Sequence, residues 1–395
     1  MTSSQTFIRQ RATWLAYLLM AFYGYFLNIF GPITPFLKNE LHLSYTVSSL
    51  HFSAFALGII GVGLIGYTVI QRFGRWTSLW IGAFGMSLGA LLLIAGRTPY
   101  VTIGAAFLMG LIGSLILAIV PSSLSDQHGD MRAVALTEAN VIASLVSATA
   151  PVLVGWFALT VLGWRAALIV AVLAAVAMRI GFWKVDLPSV PISTDPDSTR
   201  QQLPTLYWIY WTALVIAVSV EFCMIFWSAD YLETGLRMPK AGAAQAVSVF
   251  LAGMIIGRLV SSRLVQRFST HQVITGSLII AAVGFLIYWT GAAPIFGVVG
   301  LFITGLGVSC LYPLILSLAL ASARGSTDRA SALSSLASGV AILFLPLILG
   351  RLADAVGIRA AYVVIIVLLV AAFVIIQGTV PLSGRTTVRP NNNGV

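Results

Sequence analysis

The chain carries itself twice. Gln71-Arg72-Phe73 returns as Gln266-Arg267-Phe268, 195 residues on. In the same register Ser53, Phe55, Gly58 and Ile60 return as Ser248, Phe250, Gly253 and Ile255, and Phe107, Gly110, Leu111 and Ser114 as Phe302, Gly305, Leu306 and Ser309. Pro151 and Gly155 return as Pro346 and Gly350. Gly163-Trp164-Arg165-Ala166-Ala167 returns one residue out of step as Gly357-Ile358-Arg359-Ala360-Ala361. An in-phase match through most of each half constrains the fold more than any local motif: what the first half forms, the second forms again.

Composition decides the solvent. The 395 residues are 59% hydrophobic and 9% charged, with mean hydropathy +0.97, whereas a soluble domain carries about 25% charged residues. So much apolar surface calls for a bilayer. A helical span needs about 20 apolar residues, and twelve segments reach that length: roughly 13–37, 45–70, 77–96, 100–121, 133–160, 165–183, 205–230, 241–264, 271–291, 294–321, 330–352 and 358–380. Each is too long for a barrel strand. The expected fold is therefore an all-α integral membrane protein of twelve transmembrane helices in two pseudo-symmetric six-helix bundles. Residues 1–183 form the first bundle and 205–382 the second. Between them, 184–204 is polar and proline-rich (Pro188, Pro191, Pro196, Pro204) and reads as a cytoplasmic linker. Residues 383–395 read as a disordered tail. Repeats of this kind in an apolar chain point to a secondary transporter with its site between the halves.

The net charge of +10 does not mark a nucleic-acid binder, because of how it is distributed. With both termini inside, thirteen Lys/Arg face the cytoplasm (Arg9, Arg11, Arg72, Arg75, Arg132, Lys184, Arg200, Arg263, Arg267, Arg324, Arg329, Arg385, Arg389) and seven face outward (Lys38, Arg97, Arg165, Arg237, Lys240, Arg351, Arg359). This is the positive-inside bias of an inner-membrane protein with cytoplasmic termini. Cys223 and Cys310 both fall in spans and form neither a disulfide framework nor a metal spacing. The first apolar segment is too long for a signal peptide and is kept as a helix. Tyr207, Trp208, Tyr210 and Trp211 open the seventh span and Trp227 and Tyr231 close it; they read as an interfacial aromatic belt. Glycine and alanine crowd several spans, so those faces are expected to pack closely.

The duplicated six-helix unit, the long central loop and the Arg-Phe-Gly-Arg turn at 72–75 resemble the major facilitator superfamily. The family's signature turn falls on Tyr67 to Arg75, where Arg72, Gly74 and Arg75 match and Gln71, repeated as Gln266, replaces an aspartate. The resemblance implies that Gln71, Arg72, Gly74, Arg75, Gln266 and Arg267 form the cytoplasmic gate, held more weakly than by a carboxylate. Ala106-Phe107-Leu108-Met109-Gly110 is similar to a family segment whose arginine is absent here, which counts against ordinary drug/proton antiport. Ala150-Pro151-x-x-x-Gly155 is a partial match to an antiporter element. Pro151 and Pro346 otherwise read as helix bends. Gly305-Leu306-Gly307-Val308-Ser309, Tyr312-Pro313 and Leu345-Pro346 are loosely similar to fucose and glucose/galactose permeases. Gly257-Arg258-x-x-x-Ser262 is similar to the oxalate/formate and monocarboxylate branches, where the matching arginine binds a carboxylate.

Ionisable groups inside spans are functional candidates. Glu138, Arg179, Glu221 and Arg258 have no charged counterpart in the other half. Glu221 lies about 14 Å below the outer end of its helix, a depth suited to a proton carrier or to a carboxyl satisfied by a neighbouring helix. Arg258 lies about 12 Å from the inner edge, and its fork suits a carboxylate; a Glu221 or backbone partner, or a gate role, is the alternative. Arg179 reads as snorkelling to the interface, His51 as a satisfied histidine, and Glu138 as a salt-bridge partner of Arg72 or Arg132 near the gate. Asn28 and Tyr25 in the first span and Asn140 in the fifth are expected to line the cavity. No Walker loop and no Ser/His or paired-Asp constellation is present, so neither an enzyme nor a cofactor is expected. The expectation is a monomeric transporter for a small organic solute, in the first place a carboxylate anion with a proton as coupling ion, with efflux of amphipathic drug-like compounds as the rival and a neutral sugar third. A membrane receptor that has lost transport is the rival of another class.

Overall fold

The computed structural model describes residues 7–185, 203–323 and 327–384; most of the expected linker and the expected tail lie outside them. Among the described residues, eleven helices are long and apolar enough to cross a membrane, and Ala166–Gly181 is a shorter apolar one. In chain order α1 is Arg11–Leu41. Tyr45–Ala95 is one helical rod bent at Gly74, and its arms, 45–73 and 75–95, are α2 and α3. Then come α4 (Pro99–Met131), α5 (Arg132–Ala158), α6 (Ala166–Gly181), α7 (Thr205–Thr234), α8 (Lys240–Leu264) and α9 (Thr270–Thr290). The last are α10 (Pro294–Ser322), α11 (Thr327–Val356) and α12 (Ile358–Thr379).

The two copies make the α2/α3 junction differently. Gly74 sits at φ 77°, a left-handed conformation that glycine adopts at low cost, so the rod bends without ending. Ser269 occupies the repeat position in the second half. There its hydroxyl accepts from the Gln272 N–H while the Gln272 side chain accepts from the Ser269 N–H, a capping box that starts α9 afresh.

The sequence match has a packing cause. A Cβ on Gly58 would run into the backbone of Phe107 to Leu111, and one on Gly253 into the Phe302 carbonyl. A Cβ on Gly110 would overlap the Phe55 carbonyl, and one on Gly305 the Phe250 carbonyl. The α2–α4 and α8–α10 crossings are thus one small-residue crossing built twice.

The bundles meet at the end away from the chain termini. Gly155 of α5 lies on the Ala241 carbonyl of α8, and its repeat partner Gly350 of α11 lies on Tyr45 and Ser49 of α2. Gly31 of α1 lies on the Ile225 carbonyl of α7. Phe52 stacks on Phe226 at 4.2 Å and Ser53 Oγ donates to the Leu343 carbonyl at 2.7 Å across the interface, and within the second bundle Trp227 Nε1 donates to the Pro346 carbonyl at 3.1 Å. Lys38 of α1 pairs with the fully buried Asp230 of α7 and lies 3.9 Å from the Tyr45 ring centre. The Asp354 carboxylate of α11 accepts the Tyr45 and Thr46 N–H groups, both at 2.8 Å. It therefore caps the other bundle's α2, where the helix dipole favours an anion.

The opposite end is open. Residues 258–264 of α8 are exposed on successive positions around the helix, with only Ser261 half-buried, and residues 265–268 of the turn that follows are exposed too. Residues 71–74 of the rod are exposed too. A helix in lipid exposes one face; exposure all round means that the inner face borders an opening between the bundles.

One expectation changes at α7. Tyr207, Tyr210, Trp227 and Tyr231 are buried rather than belted at the interface. The Tyr207 hydroxyl donates to the Ala330 carbonyl and Trp211 Nε1 to the Leu333 carbonyl, so these rings dock α7 on α11. The helix is central, and an amphipathic ring serves packing there as well as it serves a lipid boundary. Trp208 remains exposed. His51 is satisfied, with its ring nitrogens at the Ser48 carbonyl and the Thr102 hydroxyl. Arg179 lies over the Trp80 ring.

Candidate functional site

Arg258 is placed by two local devices. Gly257 lets α8 press on α10, since a Cβ there would meet the Leu306 carbonyl and the Ser309 hydroxyl. Pro313 has no N–H to give the Ser309 carbonyl four residues earlier. That carbonyl instead accepts from Arg258 Nε at 3.3 Å. Arg258 Nη1 then reaches across the bundle interface to donate to Ser144 Oγ of α5 at 3.2 Å. Arg258 Nη2 stands 4.0 Å from Glu221 Oε1 of α7.

The pair is loose. A charge-assisted guanidinium–carboxylate hydrogen bond closes to about 2.7–2.9 Å. Ser309 and Ser144 hold the guanidinium, the edge toward Glu221 is not tightly bonded, and the Arg258 side chain is 43% exposed. The arrangement can take an anion on that edge without moving the arginine.

Around the pair lies a cleft of about 120 Å³ lined by Asn28, Asn140, Ala143, Ser144, Ser147, Glu221, Leu251, Met254, Ile255 and Arg258. Its walls come from α1 and α5 of one bundle and α7 and α8 of the other. Asn28 Nδ2 donates to the Gly24 carbonyl at 2.9 Å, and Asn140 Nδ2 to the Leu136 carbonyl at 2.8 Å. Ser144 Oγ donates to the Asn140 carbonyl at 2.8 Å. A roomier groove of about 250 Å³ between α9 and α12, among them Leu278, Phe285, Ile366 and Phe373, is almost wholly apolar and offers no chemistry to a polar solute.

Of the residues singled out in the sequence, Glu221, Arg258, Asn28 and Asn140 come together on this cleft. Tyr25 does not: its hydroxyl donates to the Ala167 carbonyl of α6 at 2.9 Å, inside its own bundle. The gate set is spread out and makes local contacts. Gln71 Nε2 donates to the Tyr67 hydroxyl, Arg72 lies against Phe73, Arg75 pairs with Asp126 at 2.5 Å, and Gln266 Nε2 donates to the Ser262 carbonyl. Arg267 is exposed. Glu138 pairs with Arg9, at 2.6 and 2.8 Å, and accepts from Tyr17, rather than with Arg72 or Arg132. The residues just ahead of α1 reach it first. Pro151 and Pro346 sit inside α5 and α11.

Sequence reading missed Ser144 and Ser147, although Asn140, Ser144 and Ser147 recur at helical spacing and mark one polar stripe. It also missed the Lys38–Asp230 pair. The available signal was that α1 and α7 are repeat equivalents carrying opposite charges near corresponding ends.

Comparison with known proteins agrees with this architecture. The family model described as Major Facilitator Superfamily matches residues 16–246 and 208–394. The glucose/galactose transporter of Brucella abortus biovar 1 (strain 9-941) is 25% identical over 378 residues, 89% of each chain. Among solved structures, a bacterial homologue of the human lysosomal transporter Spinster, inward-facing and unoccupied, superposes with TM-score 0.79 at 13% identity, covering 97% of this chain and 99% of that one. The transporter FucP in its outward conformation gives 0.61 at 17% identity, covering 93% and 98%.

Proposed function

The chain belongs to the Major Facilitator Superfamily, a family of transporters and not of enzymes, and from that premise we propose that it carries a small organic anion across the cell's inner membrane together with a proton. The observation that carries this reading is Arg258, held by one bundle, bonded to the other and open on its Glu221 edge. A guanidinium fork matches a carboxylate. An anion added to a neutral Glu221–Arg258 pair leaves one uncompensated charge in a low-dielectric interior, which is costly. A proton on Glu221 restores neutrality, so the anion and the proton travel as a symport.

The termini face the cytoplasm in this reading, as the distribution of Lys and Arg suggests. The described state is then open inward and closed outward, and rocking of the bundles about the cleft alternates access. Closing the inner end would bring the turns at 71–75 and 266–268 together.

The test is counterflow in proteoliposomes with a panel of labelled carboxylates and hexoses, for wild type, Arg258→Ala and Glu221→Gln. Carboxylate flux lost in Arg258→Ala, and flux independent of pH in Glu221→Gln, are the expected results. Carboxylate flux undiminished in Arg258→Ala would sink the proposal. A neutral sugar is the second reading, favoured by the similarity to the glucose/galactose transporter over 89% of both chains. Hexose flux that survives Arg258→Ala would install it.

A further inference from the structure

We infer that the solute bears a hydrogen-bond donor, a hydroxyl or an ammonium, beside its carboxylate, and that Asn28 selects for it; this rests on the carboxylate reading above. Asn28 is 9% exposed and lines the cleft. Its Nδ2 donates to the Gly24 carbonyl at 2.9 Å. That bond fixes the orientation of the amide, because a flipped amide would set two acceptors against each other. Asn28 Oδ1 is then left buried with no partner among the described residues. A buried acceptor in that condition demands a donor.

Much of the wall from α1 and α5 has the same polarity. Asn140 likewise donates to a backbone carbonyl in its own helix. The Ser144 hydroxyl gives its hydrogen to the Asn140 carbonyl and accepts from Arg258. Pro151 has no N–H for the Ser147 carbonyl four residues earlier, so that carbonyl lacks its helical donor. The wall from α1 and α5 thus offers the Asn28 and Asn140 acceptors, with the Ser147 hydroxyl able to donate or accept, while Arg258 on the facing wall offers donors beside the Glu221 carboxylate. A complementary solute has an acceptor group at one end and a donor at the other. A plain alkanoate satisfies Arg258 and leaves Asn28 dry, and a site built to hydrogen-bond a group discriminates against the analogue lacking it. The cleft of about 120 Å³ holds about four water-sized groups at roughly 30 Å³ each, which limits it to a small acid of about three carbons.

The experiment is titration calorimetry of the purified full chain with propanoate, lactate and alanine, on wild type, Asn28→Ala and Arg258→Ala. Wild type is expected to bind lactate or alanine at least about tenfold more tightly than propanoate. In Asn28→Ala the ratio falls toward one, and in Arg258→Ala all three weaken. A lactate preference identifies the donor as a hydroxyl, and an alanine preference identifies an ammonium and, because a zwitterion adds no net charge to the Glu221–Arg258 pair, overturns the proton coupling argued above. Equal, Arg258-dependent binding of all three by wild type overturns the donor requirement and leaves the carboxylate reading standing. Binding of none of them overturns both. A preference that survives Asn28→Ala removes Asn28 from the role. If Asn28→Ala does not fold, the wild-type ratio alone decides on the donor.

Discussion

At the scale of single residues, the site turns on how Arg258 is held. Ser309 and Ser144 fix the guanidinium from two sides, so charge alone does not define its role. Arg258→Lys keeps the charge and loses the fork, and is expected to weaken carboxylate binding about tenfold or more. Ser144→Ala removes the one described hydrogen bond that joins Arg258 to the first bundle. It is expected to weaken binding by severalfold, consistent with about 0.5–1.5 kcal/mol for a typical hydrogen bond, with expression and melting temperature unchanged. Binding of a labelled carboxylate to purified variants checks both. Asn28, Asn140, Glu221 and Arg258 could be singled out in the sequence because a polar group in an apolar span is conspicuous. Tyr25 could not be sorted the same way. Its ring is equally at home in a cavity or a helix contact, and its bond to the Ala167 carbonyl of α6 decides between them.

At the scale of helices, the glycines divide by what their missing side chains make room for. Gly110 faces the Phe55 backbone, which cannot yield as a flexible side chain can, while Gly276 of α9 has open space. Gly110→Leu is therefore expected to cost several kcal/mol and to abolish the monodisperse peak in detergent. Gly276→Ala should leave the melting temperature unchanged or raise it slightly, through about 0.5–1 kcal/mol of helix preference. A Gly110→Leu protein as stable as wild type would contradict the crossing geometry. The repeat made these contacts legible in pairs, since Gly58 with Gly110 and Gly253 with Gly305 recur in register. Which glycines touch which carbonyls was not legible, because periodicity gives a helix face and not the partner across it.

At the scale of the molecule, the closed end combines two repeat-related glycine contacts with two charged contacts lacking repeat counterparts. Gly155 and Gly350 supply the symmetric part. Lys38–Asp230 and the Asp354 cap on α2 supply the rest. Removing one member of a buried pair costs about 3–5 kcal/mol because the other charge is left stranded. In Lys38→Ala, opening the outer end hydrates Asp230 and relieves that penalty. The expected outcome is a population shift toward the outward-open state, with the bundles still folded. A cysteine placed at Phe52, which is buried against Phe226, should label faster with a polar maleimide in the Lys38→Ala background. An unchanged labelling rate would show that the pair does not hold this end shut.

By itself the sequence determined the solvent, the twelve helices, the twofold internal repeat and the short list of polar groups carried into the bilayer. Each of these follows from composition and spacing, which act locally or at a fixed repeat distance. Only the tertiary structure decided which end is closed, that Glu138 is held by Arg9 and not by Arg72 or Arg132, that Tyr207, Trp211 and Trp227 of α7 face α11, and that Asn28 keeps an unpaired acceptor. Those outcomes depend on which side chains from helices far apart in sequence reach the same point. No spacing rule encodes that distance; the packing of the two bundles does.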